Sequence, residues 1–234
     1  MNLFYSDRQL NNGFLLDEQE SRHLIKVLRT KNGQEVNVTN GDGNLYRCIL
    51  VSENAREAWV EIAGITENYD RRNYRLTLAV APTKNIDRFE TFVEKCVEIG
   101  VDKIVPIVTS RSERRSLRIE RIEKIALSAM KQSLKTKSTI IDPVTPFSRF
   151  IAEPPSGRLY IAWCAEDMPD ILLGADYHKG EEATVMIGPE GDFTNEESES
   201  AIKAGFTGIN LGKSRLRTET AGIVACSRFY FLNH

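Results

Sequence analysis

Several things are scarce in this chain, and each scarcity removes a class of function. Four cysteines (Cys48, Cys96, Cys164, Cys226) lie far apart with no CxxC pair, so neither a disulfide framework nor a zinc site is expected; free thiols in a reducing cytoplasm fit best. Three histidines, His23, His178 and His234, are too scattered to suggest a metal cluster, and no metal is expected. No apolar run approaches the length of a membrane span. The start, MNLFYSDRQLNNGF, lacks a basic stretch followed by an apolar core, so no signal peptide is expected and the cytoplasm is the expected location. There is no GxGxxG after a strand, no GxSxG and no HExxH. Gly212-Lys213-Ser214 looks like the end of a phosphate-binding loop, but the glycine that loop needs at 207 is a threonine.

What is present is an ordinary globular composition, 41% hydrophobic and 27% charged over 234 residues. The net charge of −2 argues against wholesale coating of nucleic acid, but the charge is segregated. Residues 103 to 137 hold ten Lys/Arg against three Glu, while residues 181 to 200 hold seven acids and no base. So basic a segment is a candidate polyanion contact, or else a solvated helix face.

The first 68 residues read as mostly β, with short apolar runs and a strong turn at Asn40-Gly41-Asp42-Gly43; a small β-barrel is expected. Within it DEQESRHLIKVLR reads as a short helix with Leu24, Val27 and Leu28 on one face. TENYDRRNY, 66 to 74, carries no periodicity and is the expected linker. From Arg75 strands and helices alternate. RLTLAVAP, KIVPIV, RLYIAWC, ATVMIG and TGINLG read as strands. NIDRFETFVEKCVEIG reads as a helix with Phe89, Phe92, Val93, Cys96 and Val97 on one face and Gly100 as its stop. Further helices are expected over 117–135, 194–204 (opened by a Thr194/Glu197 capping box) and 218–232. The pattern predicts an α/β fold, with a mostly parallel sheet over 74–234.

Two glycine-bearing strand ends stand out: Gly188-Pro189-Glu190-Gly191 and LGKSRLRTETA, 211 to 221. Ligands of open parallel sheets bind beyond the carboxyl ends of the strands. Glycine there lets main-chain groups approach a flat ligand, and proline stiffens the turn. Either loop alone reads more simply as an ordinary turn.

Together, IGPEGDFTNEE and NLGKSRLRTETA resemble the signature of the SPOUT RNA methyltransferases, and more narrowly of the RsmE family. HLIKVLRTKNGQEVNVTNGDGNLY, 23 to 46, is similar to that family's N-terminal PUA-like barrel, and EKCVEIGVDKIVPIVTSRSE, 94 to 113, to its E-K-A-x-E-L-G-V stretch. Departures occur at Lys131-Gln132-Ser133 (usually E-Q-S), at Leu134-Lys135 (usually Gly-Arg) and at Asp192 (usually Gly). The resemblance implies a PUA-like RNA-binding β-barrel (1–68) and a SPOUT domain (74–234) with a deep trefoil knot and a cofactor site at about 160–221. The knotted loops would lie near 162–166, 188–191 and 211–221.

It implies S-adenosyl-L-methionine as cofactor, and methylation of N3 of one uridine (uridine 1498) of 16S rRNA in the 30S ribosomal subunit. It also implies a homodimer, for which the apolar last helix suits an interface. The cofactor positions carried over are Trp163, Gly188, Pro189, Glu190, Gly191, Leu211, Gly212, Leu216, Arg217, Thr218 and Thr220, with Arg217 and Glu219 as catalytic candidates. Glu219 reads equally as a carboxylate placed to suit the helix start. The candidate RNA contacts are Lys26, Arg29, Lys84, Arg88, Arg111, Arg114, Arg115, Arg118 and Arg121; Tyr46 and Trp59 could stack on a base or belong to the core. A sister SPOUT enzyme acting on another base or a ribose 2′-OH, and a non-catalytic RNA-binding factor, remain as alternatives.

Overall fold

The computed structural model describes residues 1–163 and 171–234. They form two compact units: residues 1–71 with 127–138, and residues 72–126 with 139–234. The division is therefore not one cut in the chain. The segment 127–138 returns to the first unit because Thr39 Oγ1 donates to the Thr136 carbonyl at 2.9 Å, and Thr136 Oγ1 donates to Asp70 Oδ1 at 2.7 Å. Lys131 also pairs there with Glu20.

The first unit holds six strands, β1 (Leu3–Tyr5), β2 (Gln9–Leu10), β3 (Gly13–Leu15), β4 (Glu35–Thr39), β5 (Leu45–Ser52) and β6 (Trp59–Thr66). They pair in the order β1-β4-β5-β6-β3-β2, antiparallel except for β1 with β4. The end strands β1 and β2 do not pair, so the sheet is a curled half-barrel. Its concave face is filled by Phe14, Leu16, Val38, Cys48, Leu50 and Val60. Tyr46 belongs to this core: its ring meets Phe14 edge-on at 4.9 Å and its hydroxyl donates to Asp42 Oδ2 at 2.7 Å.

The helical stretch after β3 corrects one expectation. An α-helix, α1 (Glu18–Arg22), passes into a π-helical turn over His23–Val27, closed by Leu28 N–H on the His23 carbonyl at 3.0 Å. The wider i→i+5 turn breaks the 3.6-residue register. Leu24 stays buried, but Val27 is left 67% exposed and Leu28 is also exposed.

The second unit is built on β7 (Arg75–Val80), β8 (Lys103–Val108), β11 (Arg158–Ala162), β12 (Glu182–Ile187) and β13 (Thr207–Ile209), with the two-residue strands β9 (Ile140–Ile141) and β10 (Thr145–Pro146). The order is β10-β8-β7-β12-β11-β13, with β9 also on β8, and every pairing is parallel. A parallel sheet is covered on both faces, which is why β7, β8 and β12 are almost continuously apolar.

The covering helices are α2 (Ile86–Ile99), α3 (Ile119–Gln132, which ends in the first unit), α4 (Phe147–Ala152), α5 (Asn195–Lys203) and α6 (Thr218–Asn233). α2 starts where Asn85 accepts from the Asp87 N–H, buries Phe89, Phe92, Val93, Cys96 and Val97, and ends at Gly100 with φ 128°. α5 carries the Thr194/Glu197 capping box in full. α6 packs against α2 and can come close because a Cβ at Gly222 would lie 2.4 Å from the Phe92 ring. No helix among the described residues is long and apolar enough to cross a membrane. Of the loop at 162–166 expected to take part in a knot, residues 164–166 lie outside the described residues, as does Cys164.

Candidate cofactor loops at the carboxyl edge of the parallel sheet

Because all strands of the second unit run the same way, their C-terminal ends open onto one edge. The β7 loop (81–84), the β8 loop (109–115), Trp163 after β11, the Gly188–Gly191 turn after β12 and the 210–217 loop after β13 therefore gather there. The turn after β12 is a tight one, with the Asp192 N–H on the Pro189 carbonyl at 2.9 Å. Gly188 and Pro189 are buried and Glu190 is exposed. A Cβ at Gly188 would crowd Phe193 at 3.2 Å, so any other residue there would push the turn open by a few tenths of an ångström.

The second loop is joined to the first directly: Thr218 Oγ1 donates to the Gly188 carbonyl over 3.0 Å, and both residues are buried. The loop itself begins with Asn210, whose carbonyl accepts from Leu173 N–H at 3.1 Å and whose N–H donates to Ile171 at 2.9 Å, extending the parallel pairing. Asn210 Oδ1 accepts from Gly212 N–H at 3.0 Å. Gly212 adopts φ 111°, and beyond its chain neighbours no atom of the described residues lies within 4 Å of where its Cβ would be. Leu211 and Leu216 are half-buried, and Thr220 is exposed. Trp163 lies over β13, in the space that a side chain on Gly208 would take; a Cβ there would be 2.5 Å from the indole.

The two catalytic candidates sit at the start of α6. Arg217 is the N-cap residue, exposed, with no capping bond and no side-chain partner among the described residues. Arginine is a poor choice for that position, where Ser, Thr, Asp or Asn would satisfy the free N–H groups. Glu219 lies in the first helical turn, where the helix dipole favours a carboxylate. Its side chain is only 14% exposed; Oε1 is 3.9 Å from Arg88 Nε, and Oε2 is buried without a partner among the described residues.

The cations expected to meet RNA differ in what they face. Lys84 Nζ pairs with Glu113 at 2.8 Å, Arg121 with Glu90, and Arg88 faces Glu219. Arg111, Arg114 and Arg115 instead donate to backbone carbonyls, and Arg118 has no side-chain partner among the described residues. The 109–115 loop is fixed by Glu197, whose Oε1 accepts from the N–H and hydroxyl of Ser110 at 2.8 and 3.0 Å while Oε2 holds the Thr194 N–H. Charge and motif gave no sign of this role for Glu197 beyond its capping box. Lys26 and Arg29 belong to the first unit and are exposed.

A family profile described as an RNA methyltransferase domain matches residues 70–230, and one described as an RNA methyltransferase PUA domain matches 16–63. Ribosomal RNA small subunit methyltransferase E of Aquifex aeolicus is 30% identical over 226 residues, which cover 94% of this chain and 95% of that protein. The crystal structure of a probable rRNA-methyltransferase from Porphyromonas gingivalis is 39% identical with a TM-score of 0.92, covering 100% of this chain and 98% of the other. A ribosomal RNA small subunit methyltransferase E from Neisseria gonorrhoeae, whose crystal structure is bound to S-adenosyl methionine, is 28% identical with a TM-score of 0.88 over the same shares. The similarity thus extends over whole chains, in sequence and in fold, and the protein belongs to the ribosomal RNA small subunit methyltransferase E family.

Proposed function

We propose that this protein uses S-adenosyl-L-methionine to methylate N3 of uridine 1498 of 16S rRNA within the 30S subunit, and that it acts as a homodimer. The observation that carries the reading is the bond from Thr218 to the Gly188 carbonyl, which brings the two glycine loops together at the sheet edge. The residues there suit such a cofactor. Gly188, Gly191 and Gly212 offer main chain without side chains, as a flat heterocycle requires. The buried Oε2 of Glu219, without a partner among the described residues, is an acceptor in want of a donor. Trp163, Pro189, Glu190, Leu211, Leu216, Thr218 and Thr220 complete the proposed set.

When bound, the cofactor supplies an electrophilic methyl group on a sulfonium. The chain's own residues have the other half of the problem, because N3 of a uridine is a poor nucleophile while protonated. Glu219 Oε2 is the proposed acceptor of that proton. The always-charged guanidinium of Arg217, without a side-chain partner among the described residues, is the proposed counterion for the charge that spreads to the carbonyl oxygens. Lys26, Arg29 and the arginines of the 109–118 segment are the proposed phosphate contacts, which give affinity and salt dependence rather than base choice.

For the dimer, α6 supports the reading. Phe231 is 74% exposed, and Val224, two turns earlier on the same side, is half-buried. Transfer of tritium from labelled S-adenosylmethionine to unmodified 30S subunits, with digestion to nucleosides, tests the proposal. Label in 3-methyluridine supports it; label in a 2′-O-methyl nucleoside or another base, or none at all, refutes it.

A further inference from the structure

Arg111 and Arg114 lie in the basic window that points to RNA, yet their guanidiniums are already half engaged. Arg111 Nη1 donates to the carbonyls of Gly191 at 2.8 Å and Phe193 at 3.2 Å. Arg114 donates from Nε to Thr83 at 3.1 Å and from Nη2 to Lys84 at 2.8 Å. The N–H of that same Lys84 holds Glu190 Oε1 at 2.9 Å. Arg111 therefore grips the Gly188–Gly191 turn directly at its far end, while Arg114 reaches it through residues 83 and 84.

Among the described residues no carboxylate stands at ion-pair distance from Arg111 or Arg114, although Glu196 lies near enough to feel the Arg111 charge, whereas Lys84 and Arg121 face carboxylates directly. Each of the two guanidiniums also keeps donors. Of five N–H groups, those on Nε and Nη2 of Arg111 and on Nη1 of Arg114 have no partner among the described residues. Arg111 is exposed, so its outer edge is open to a phosphate.

Resting on the methyltransferase reading above, we propose that Arg111, seconded by Arg114, couples the two ligands: the inner edge clamps the cofactor turn and the outer edge takes an RNA phosphate. A phosphate on the outer edge orders the long side chain and with it the turn, so that whichever ligand binds second meets a site already arranged. Linkage requires the effect to be equal in both directions.

The test is calorimetric titration with S-adenosylhomocysteine, which prevents turnover, without and with saturating unmodified 16S rRNA. In the unaltered protein RNA tightens the nucleoside by about fivefold or more. Arg111→Ala weakens the nucleoside in the absence of RNA, lowers the salt slope of RNA binding by about one, and brings the ratio of the two nucleoside affinities near one. Arg111→Lys keeps a charge for RNA, but its single compact ammonium has no separate inner and outer edges to hold carbonyls and phosphate at once, so it holds most of the RNA affinity and loses the ratio; it serves equally should the alanine variant not fold. Arg114→Ala repeats the loss in part. An unchanged ratio in Arg111→Lys, or an alanine variant that alters only RNA affinity or only nucleoside affinity, overturns the coupling. Nucleoside binding that is tight but indifferent to RNA in the unaltered protein sinks the coupling alone. No nucleoside binding at all removes the function on which it stands.

Discussion

Thr218 and Gly188 are 30 residues apart, and the hydroxyl of the first donates to the carbonyl of the second over 3.0 Å, with both groups buried. Thr218→Val keeps the shape and removes the donor, leaving a buried carbonyl unsatisfied at a cost of about 1–3 kcal/mol. We expect S-adenosylhomocysteine to bind on the order of tenfold more weakly, and Thr218→Ser to recover most of the loss. Titration calorimetry beside a thermal melt measures both. A valine variant with unaltered affinity means that this bond does not organise the site.

The packing of α6 on α2 makes a prediction about stability. A Cβ at Gly222 would lie 2.4 and 2.5 Å from two atoms of the Phe92 ring, and Phe92 is fully buried. Gly222→Ala is therefore overpacked and should cost about 1–3 kcal/mol. In the double variant with Phe92→Leu the costs should be less than additive, because the smaller side chain vacates the space the methyl needs. Urea unfolding of the four proteins decides; strict additivity would show that the ring is not what the methyl meets.

How far this could be read in the sequence depended on whether the signal was local. α2 was legible from its apolar face to its stop at Gly100, because each part of that signal lies within one helix; its start, open in the sequence between Asn85 and Asp87, falls at Asn85. The Thr194/Glu197 box was legible for the same reason. Val27 and Leu28 were misplaced because a π-helical turn changes the period on which the reading relied. α4 follows Pro146 with no capping side chain and spans six residues, and β9 and β10 have two each, too few for any period to register. The return of 127–138 to the first unit hangs on Thr39 and Thr136, 97 residues apart. At the candidate site, residue types pointed to the two loops, and resemblance to a family joined them. That Arg111 spends its donors on carbonyls while Lys84 faces a carboxylate is a matter of tertiary contact, which a count of charges does not contain.

Cys48 supplies a pH prediction. Burial in the half-barrel core pushes its thiol up to about 12, against an ordinary value of 9.0. Between these values the unfolded chain releases a proton that the folded one retains, so the folded state binds more protons and stability falls as pH rises. The contribution is complete below 9.0 and is lost as pH climbs toward the folded value. Cys48→Ala should flatten the alkaline fall in unfolding free energy by up to about 1.4 kcal/mol per pH unit, at the cost of a small cavity. Identical alkaline slopes in the two proteins would show that the thiol does not titrate differently in the two states.

Arg217 offers the sharpest separation of roles. As the N-cap of α6 it makes no capping bond, and its side chain is exposed and without a partner among the described residues. Arg217→Ala should therefore shift folding stability by no more than about 0.5 kcal/mol, as for a surface change that removes no contact. A charge held against the oxygens of the reacting base acts chiefly in the transition state, so the same substitution should lower turnover on the order of 100-fold and leave S-adenosylhomocysteine affinity within about threefold of the original. Arg217→Lys keeps the charge but not the planar fork, and should recover only part of the rate. Glu219→Gln is the companion: it loses turnover in the same assay if Oε2 receives the N3 proton, and retains it if the carboxylate serves only the helix start. Should Arg217→Ala weaken the nucleoside as much as it slows transfer, the guanidinium belongs to the cofactor site and not to the base.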